Sequence, residues 1–355
     1  MRHLAVALSL TAVSTIAIPA LAAPRVATDI APVHSLTAQV MAGIGEPDLI
    51  MQVGASPHGY SMRPSEAAAL QDAEIVFWIG ESLTPWLERS LETVAADAQA
   101  VELLGAGASN VLPTRTGATF EAHDDHDDHD DHGDEEKDHA DEHDDEHGDD
   151  HADQKDSDKH DDEHAENEHG DEHAEEDHHD HGGQDPHAWL SPENGKAWLD
   201  VIAATLSKAD PANADAYAAN AAAAKARLDV ISGEISAQLA PVHDERFIVF
   251  HDAYQYFETR FDMPAAGAIS LGDAQKPSPA RIVELQELAA KEDITCVFAE
   301  PQFNAGVIDA VFGGTNVGSG VLDPLGASLE PGAGFYEALL TDMSGSLATC
   351  LSGGS

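Results

Sequence analysis

Basic residues are scarce in this sequence. Its 355 residues include 17 Lys and Arg against 66 Asp and Glu, and the formal net charge at pH 7 is −49. Nucleic acids and anionic membrane surfaces repel a protein of this charge, so we expect neither as a partner. A cation, in contrast, is a compatible ligand.

Long apolar runs are confined to the first 22 residues. Arg2 and His3 give a positive start, residues 4–18 are almost entirely apolar, and small residues follow at 19–23. This order predicts a secretory signal peptide over residues 1–22 rather than a membrane anchor, because the apolar run is shorter than the roughly 20 residues that span a bilayer. No cysteine near the predicted cleavage site offers a point for lipid attachment. We therefore expect a soluble mature protein in an oxidising compartment. We also expect a monomer.

Cysteine is also rare, with Cys296 and Cys350 the only two in the sequence. Neither lies in a Cys-x-x-Cys motif and no base partner is identifiable, so the sequence does not favour thiol catalysis. In an exported protein an even number of cysteines predicts one disulfide, and two buried free thiols are the alternative.

Apolar residues other than Ala are nearly missing between residues 121 and 183. This region repeats Asp-Asp-His and Glu-His and contains 15 of the 21 histidines, and residues 121–181 hold 32 Asp and Glu against 3 Lys. Such a composition cannot bury enough apolar surface to form a core, so we predict a disordered segment. Its closely spaced imidazoles and carboxylates favour weak binding of several Zn²⁺ ions, with a solvated spacer as the alternative.

Strand and helix patterns alternate on both sides of this acidic His-rich region. Short apolar strands are predicted at residues 26–30, 49–53, 74–80, 246–250, 265–269 and 295–300. Because helical patterns separate the strands, they predict parallel sheets flanked by helices. The Ala-rich stretch at 211–240 predicts a rigid helix of roughly 43 Å between two lobes. We therefore predict an α/β protein with an N-terminal lobe over 23–210, interrupted by 121–183, and a C-terminal lobe over 241–355.

Five histidines remain outside the signal peptide and the acidic region, and three of them occupy the ends of predicted elements. His58 follows the strand at 49–53, His251 ends the strand at 246–250, and His187 lies in an Asp-Pro-His turn before a helix. Ligands of open α/β sheets bind at the carboxyl ends of strands, so we expect these imidazoles to meet in a cleft between the lobes. Three imidazoles and a fourth oxygen suit the tetrahedral shell of Zn²⁺. Solvated loop histidines are the alternative.

The two other histidines are weaker candidates. His34 follows the first predicted strand, where a packing role is the more frequent one, and His243 lies in a polar turn. No His-Glu-x-x-His motif or second cluster with a general base supports a metalloenzyme, although a catalytic zinc site also uses three protein ligands. A binding protein is therefore the favoured class, with a metalloenzyme, a surface adhesin or a periplasmic zinc buffer as alternatives.

Several motifs around these histidines resemble one bacterial family. The sequence is similar to the zinc-binding subunits of high-affinity zinc ABC importers, the metal-binding proteins of cluster A-I that carry a His-rich loop. The similar stretches GASPHGYSMRPSEAAAL, DPHAWLSP, FHDAYQYF, FAEPQF and VLDPLG lie at residues 54–70, 185–192, 250–257, 298–303 and 321–326. They span the mature chain from end to end.

The resemblance implies a function and a set of ligands. It implies a periplasmic protein that captures Zn²⁺ between its lobes and delivers it to the membrane permease of an ABC importer. His58, His187 and His251 match the metal ligands of the family. Asp323 matches a ligating Asp of other cluster members, with water as the alternative in the fourth position. Glu300 is expected to orient an imidazole, with a salt-bridging role as the alternative.

Two further matches refine this expectation. Manganese-binding relatives carry Glu at the position of His251, so the imidazole favours Zn²⁺ over the harder Mn²⁺. Cys296 and Cys350 match a disulfide of the family.

Overall fold

A computed structural model describes residues 23–115, 119–120, 183–270, 272, 277–304 and 306–353. The predicted signal peptide and, apart from Gly183, the acidic His-rich region lie outside the described residues, so the cleavage and the disorder remain predictions. Among the helices of the described residues, none is both long and apolar enough to cross a membrane.

The first lobe is built on a parallel sheet of four strands. In chain order these are β1 (Val26–Thr28), β2 (Asp48–Leu49), β3 (Ile75–Trp78) and β4 (Gln99–Glu102), and their order across the sheet is β2-β1-β3-β4. The helices are α1 (Ala31–Val40), α2 (Pro64–Asp72), α3 (Pro85–Thr93), α4 (Pro192–Ala209) and the long α5 (Ala214–Leu239), which leads out of the lobe. The central strands β1 and β3 are buried along their whole length, as expected for parallel strands covered on both faces.

The second lobe repeats this plan. Its strands are β5 (Phe247–His251), β6 (Gly267–Ser270), β7 (Cys296–Ala299) and β8 (Gly318–Val321), all parallel and in the order β6-β5-β7-β8. Its helices are α6 (Gln255–Phe261), α7 (Pro279–Lys291), α8 (Gly306–Phe312) and α9 (Phe335–Leu351). The predicted α/β fold, with two parallel sheets flanked by helices, is confirmed.

The long helix α5 joins the two lobes, as predicted. Short 3₁₀ turns at residues 211–213 and 240–242 extend it at both ends. Its 26 residues give the α-helical part a length of about 39 Å. Every third or fourth side chain is buried, namely Tyr217, Ala221, Ala224, Leu228, Ser232, Ile235 and Leu239. This face packs against α1 and α4 of the first lobe and against α9 of the second.

Serine followed by proline begins both α4 and α7. Pro192 and Pro279 occupy the first helical position, where a missing N–H loses no helical hydrogen bond. The hydroxyl oxygens of Ser191 and Ser278 accept hydrogen bonds from backbone N–H groups three residues later, at 3.3 and 3.2 Å. Because the Ser191 cap and Pro192 fix the residue at which α4 begins, they also fix where the turn that carries His187 ends.

Each sheet has a crevice at the point where its strand order reverses, between β1 and β3 and between β5 and β7. The loops after these neighbouring strands leave in opposite directions, and ligands of such sheets bind in the space between them. In the second lobe His251 ends β5 and Glu300 directly follows β7. Both side chains therefore lie at the crevice.

The C-terminal helix α9 packs against α1 of the first lobe as well as against its own lobe. The Ser35 hydroxyl on α1 donates to the Ala333 carbonyl at 2.9 Å and accepts from the Tyr336 N–H at 3.0 Å. The Tyr336 hydroxyl donates to the Trp189 carbonyl at 2.6 Å. One apolar core consequently contains residues from both lobes.

The predicted disulfide is present. Cys296 at the beginning of β7 is bonded to Cys350 in the last turn of α9, with 6.1 Å between their Cα atoms. Both residues are buried. The bond therefore fastens the C-terminal helix to a central strand of the second sheet.

Candidate metal centre

Three predicted histidines meet at one small cavity between the lobes. The ring centroids of His58 and His187 are 5.7 Å apart, and those of His187 and His251 are 5.3 Å apart. The other residues that line this cavity are Pro57, Trp189, Glu300, Gln302, Phe303, Pro324 and Leu325. A tetrahedral ion with Zn–N distances of about 2.0 Å holds imidazole centroids roughly 5 Å apart, so the separations fit one shared ion.

The cavity is a convergence of imidazoles rather than a formed coordination shell. Within the ranges that the structure describes, no three His, Cys, Asp or Glu side chains are already arranged to hold a metal ion. The individual rings, however, are held by specific partners.

His187 is buried and oriented by the residue two positions before it. Its ring Nδ1 lies 2.7 Å from Oδ1 of Asp185, and its backbone N–H donates to the same oxygen at 3.0 Å. Because a carboxylate only accepts, Nδ1 carries the proton and Nε2 carries the lone pair that can bind a metal. The Tyr256 hydroxyl donates to the Asp185 carbonyl at 2.6 Å and fixes this turn to the second lobe.

His251 is oriented in the same way from the neighbouring strand. Its Nδ1 lies 2.6 Å from Oε1 of Glu300, and both side chains are almost fully buried. The proton on Nδ1 again makes Nε2 the metal-binding nitrogen. The Phe303 ring packs on the His251 ring at 5.7 Å and stacks on Phe250 at 4.5 Å. Glu300 thus holds the His251 ring in place, and its role toward a bound metal stays a prediction.

His58 lies in a 3₁₀ turn over Pro57–Gly59 and is more exposed than the other two. The Trp86 indole N–H on α3 donates to the Pro57 carbonyl at 2.7 Å. Trp86 also packs against Tyr60 with 5.4 Å between ring centroids, and the Tyr60 hydroxyl donates to the buried carboxylate of Glu66 at 2.9 Å. These contacts fix the turn that carries His58 to the rest of the first lobe.

Asp323 lies beside the cavity, whose lining includes Pro324 but not Asp323 itself. Its carboxylate accepts hydrogen bonds from the backbone N–H groups of Leu325 at 3.0 Å and Ala327 at 2.5 Å. It also accepts one from the Gln302 amide at 3.1 Å. In this conformation the carboxylate shapes the loop after β8.

The remaining two histidines lie elsewhere. His34 is on α1, with its Nε2 3.1 Å from the Pro47 carbonyl, and burial lowers its pKa. His243 is exposed, and hydrogen bonds to Asp262 and then Asp244 raise its pKa. Neither lines the cavity.

A buried ion cluster adjoins the site. The Arg115 guanidinium donates to Asp252 through Nε at 2.9 Å and to Glu258 through Nη1 at 2.7 Å and Nη2 at 2.9 Å. Burial acts to lower the pKa of Arg115, but the hydrogen bonds to Glu258 and Asp252 outweigh it and raise the pKa. Asp252 directly follows His251, the last residue of β5. The cluster therefore connects the segment around Arg115, which precedes the acidic His-rich region, to the strand that carries His251.

This fold and these motifs match one known family. The family described as zinc-uptake complex component A, periplasmic, and called ZnuA, matches residues 26–350. The chain belongs to this family.

Curated relatives in the ZnuA family align over nearly the whole chain. The high-affinity zinc uptake system protein ZnuA of Brucella suis biovar 1 is 42% identical over 327 residues, which are 92% of this chain and 91% of that protein. The protein of the same name from Paracoccus denitrificans is 41% identical over 342 residues, 96% of each chain. A crystal structure of a ZnuA protein has the same fold, with a TM-score of 0.65 at 23% identity over 92% of this chain and 99% of that one.

Three residues in or beside this ZnuA-type cavity were not predicted from the sequence. Asp185 has a local signal, since an Asp two residues before a His readily bonds both its backbone N–H and its ring. Arg115 and Gln302 have none, because their partners are distant in sequence, at 137 and 21 residues.

Proposed function

We propose that this chain is the periplasmic zinc-binding component of an ABC-type zinc importer. Its place in the ZnuA family and the convergence of His58, His187 and His251 support this function. It acts by binding rather than catalysis, because relatives along most of its length are components of uptake systems. In this proposal the chain, without residues 1–22, works as a monomer, interacts with no nucleic acid and passes Zn²⁺ to a membrane permease.

The observation that carries the proposal is the pairing of two ring nitrogens with buried acids. Asp185 and Glu300 hold the Nδ1 protons of His187 and His251 at 2.7 and 2.6 Å, so both rings present Nε2 as a donor to the cavity. His58 supplies the third nitrogen, and Asp323 or water completes the shell. His58 and His187 belong to the first lobe and His251 to the second, so the ion binds both lobes.

Zinc is proposed on the chemistry of the donors, since the fold does not choose the metal. FpvC from Pseudomonas aeruginosa, solved with Mn²⁺, has a similar fold with a TM-score of 0.67 at 18% identity, over 94% of this chain and 99% of that one. A set of three imidazoles suits Zn²⁺ better than Mn²⁺, which prefers oxygen ligands.

Replacing any one of the three histidines by Ala is expected to weaken zinc binding at least a hundredfold, or about 2.7 kcal/mol. The apo fold should remain, but His187→Ala and His251→Ala should lower the apo midpoint because they leave the buried carboxylates of Asp185 and Glu300 without their imidazole partners. Zinc affinity is measured in chelator-buffered solutions by tryptophan fluorescence. Trp189 lies 5.3 Å from the His187 ring, and residues 121–182 contain no Trp, so this signal reports the cavity.

His243→Ala is the matched control, because it removes an exposed imidazole outside the cavity. It should leave the affinity unchanged. The three cavity variants, in contrast, should lose the zinc-induced thermal stabilisation, which amounts to about 2.7 kcal/mol at a hundredfold excess over Kd. Parental affinity in all three cavity variants would refute the assignment.

We also propose that the acidic His-rich region collects zinc weakly and separately from the cavity. Its 15 histidines among Asp and Glu support this role, because a charged spacer alone does not need imidazoles. Deletion of residues 121–182 should remove most weak zinc equivalents and keep one tight one. Isothermal titration calorimetry of the parent and the deletion counts both classes, and loss of the tight equivalent in the deletion would contradict the proposal.

A further inference from the structure

One residue of the cavity lining carries a buried polar atom with an unused hydrogen-bonding capacity. Among the described residues, Oε1 of Gln302 is buried without a hydrogen-bond partner, although Gln302 as a whole is partly exposed. Gln302 lines the same cavity as His58, His187 and His251. An unpaired buried acceptor costs free energy, so native proteins keep few of them and often at functional sites.

The orientation of this amide is fixed by chemistry. Its Nε2 group lies 3.1 Å from Oδ1 of Asp323. A carboxylate only accepts hydrogen bonds, so the NH₂ group must face Asp323 and the oxygen must face away from it. Two backbone N–H groups, those of Leu325 and Ala327, hold the Asp323 carboxylate in place.

The position of Gln302 is fixed from its other side as well. It lies in a turn after β7, in which the Phe303 N–H donates to the Glu300 carbonyl at 3.1 Å. Glu300 is bonded to the His251 ring, and Phe303 is stacked on Phe250. Gln302 is therefore flanked along the chain by two residues with fixed side chains, Glu300 and Phe303.

Among the described residues, no hydrogen-bond donor reaches this oxygen. The Nδ1 protons of His187 and His251 are bonded to Asp185 and Glu300, and their Nε2 atoms carry lone pairs. The Trp189 indole N–H donates to the Pro324 carbonyl at 2.8 Å. A donor must arrive with the ligand, and a water bound to zinc has both of its O–H bonds directed away from the metal.

We infer that Gln302 Oε1 accepts a hydrogen bond from the water that completes the zinc shell. The inference rests on the proposed function and makes Gln302 a positioning residue for the fourth ligand. In this arrangement Asp323 holds Gln302 and does not touch the metal. The amide is neutral, so it strengthens the hold on the water without adding charge beside the ion.

The test uses Gln302→Met in the full chain, which keeps length and packing but removes the amide. Zinc affinity is measured by tryptophan fluorescence in chelator-buffered zinc, and the thermal midpoint is measured without zinc. Loss of a group that orients a metal ligand typically weakens metal binding roughly tenfold or more, and we expect this here. The midpoint of the apo protein should fall no further than in Gln286→Met, because the lost oxygen has no partner in that state and each variant loses one hydrogen bond donated by its amide.

Gln286→Met on α7 is the matched control, since its amide donates to the Val311 carbonyl at 2.8 Å, away from the cavity. It should keep the parental affinity. A parental affinity in Gln302→Met would overturn the inference, and so would a weakening accompanied by a fall of the apo midpoint larger than that of Gln286→Met, which indicates a packing role. A crystal structure of the zinc-loaded chain with Asp323 on the metal would overturn it too.

These outcomes are separable from failure of the proposed function. If the parent shows no tight zinc site, or if His58→Ala, His187→Ala and His251→Ala all bind as tightly as the parent, the proposed function fails. If the parent binds tightly and His58→Ala weakens binding while Gln302→Met does not, only the role of Gln302 fails.

Discussion

Arg115→Met is expected to lower the free energy of unfolding by about 3–5 kcal/mol. The guanidinium bonds two carboxylates, Asp252 and Glu258, whose side chains are only 4% and 5% exposed. Without the cation, two buried negative charges face each other, and burial already raises the pKa of Glu258. The loss therefore comes from unpaired acids rather than from the surface area of one side chain. Urea denaturation at pH 7 measures it.

Arg25→Met is the comparison for this variant. Its ion pair with Glu74 is 3.4 Å long and exposed, so we expect a loss of about 1 kcal/mol or less. Adding Asp252→Asn and Glu258→Gln to Arg115→Met should recover part of the lost stability, because the unpaired charges disappear. Equal losses in Arg115→Met and Arg25→Met would mean that the buried cluster contributes no more than a surface pair.

Removal of the disulfide is the second change with a large expected effect. The bond closes a loop between residues 54 positions apart, and the chain-entropy estimate for this length is about 4 kcal/mol of stability. The double variant Cys296→Ser and Cys350→Ser should therefore unfold at lower urea concentration than the parent. Reduction of the parent with dithiothreitol should give a similar shift, while the reduced double variant should show no further change.

Intact mass after alkylation provides the direct check on this bond. The native, unreduced parent should take up no alkylating reagent, because both cysteines are bonded. Two alkylated cysteines in that sample would show that the thiols are free in solution, and the stability argument would then have no basis.

The buried central strands and the long helix were predictable because each carries a strong local pattern. The strand predicted at 246–250 and β5 differ by one residue at each end. The strands β4 and β8 were not predicted because their sequences lack a strong apolar pattern. The residues Gln99–Glu102 are largely exposed, and Gly318–Val321 contains two glycines, so neither has an apolar period.

Sequence patterns identified the candidate metal ligands, but they identified fewer of the residues that hold these ligands in place. His251 ends a strand and His187 precedes a helix, as the sequence indicates. His58 was placed after a strand at 49–53, but that strand ends at Leu49, so His58 reaches the cavity on a longer loop. Trp86 and Gln302 hold the neighbouring loops through contacts with residues that lie at no fixed sequence separation from them. Such partners depend on the packing of distant segments, which periodicity does not encode.

The bond between Ser35 and Ala333 joins residues 298 positions apart. The core around α1 is thus completed only after α9 has been synthesised. Contacts between such distant segments also form slowly, because the entropy of closing a long loop must be overcome before they stabilise anything. A nascent chain therefore cannot complete the core of its first lobe while α9 is still missing.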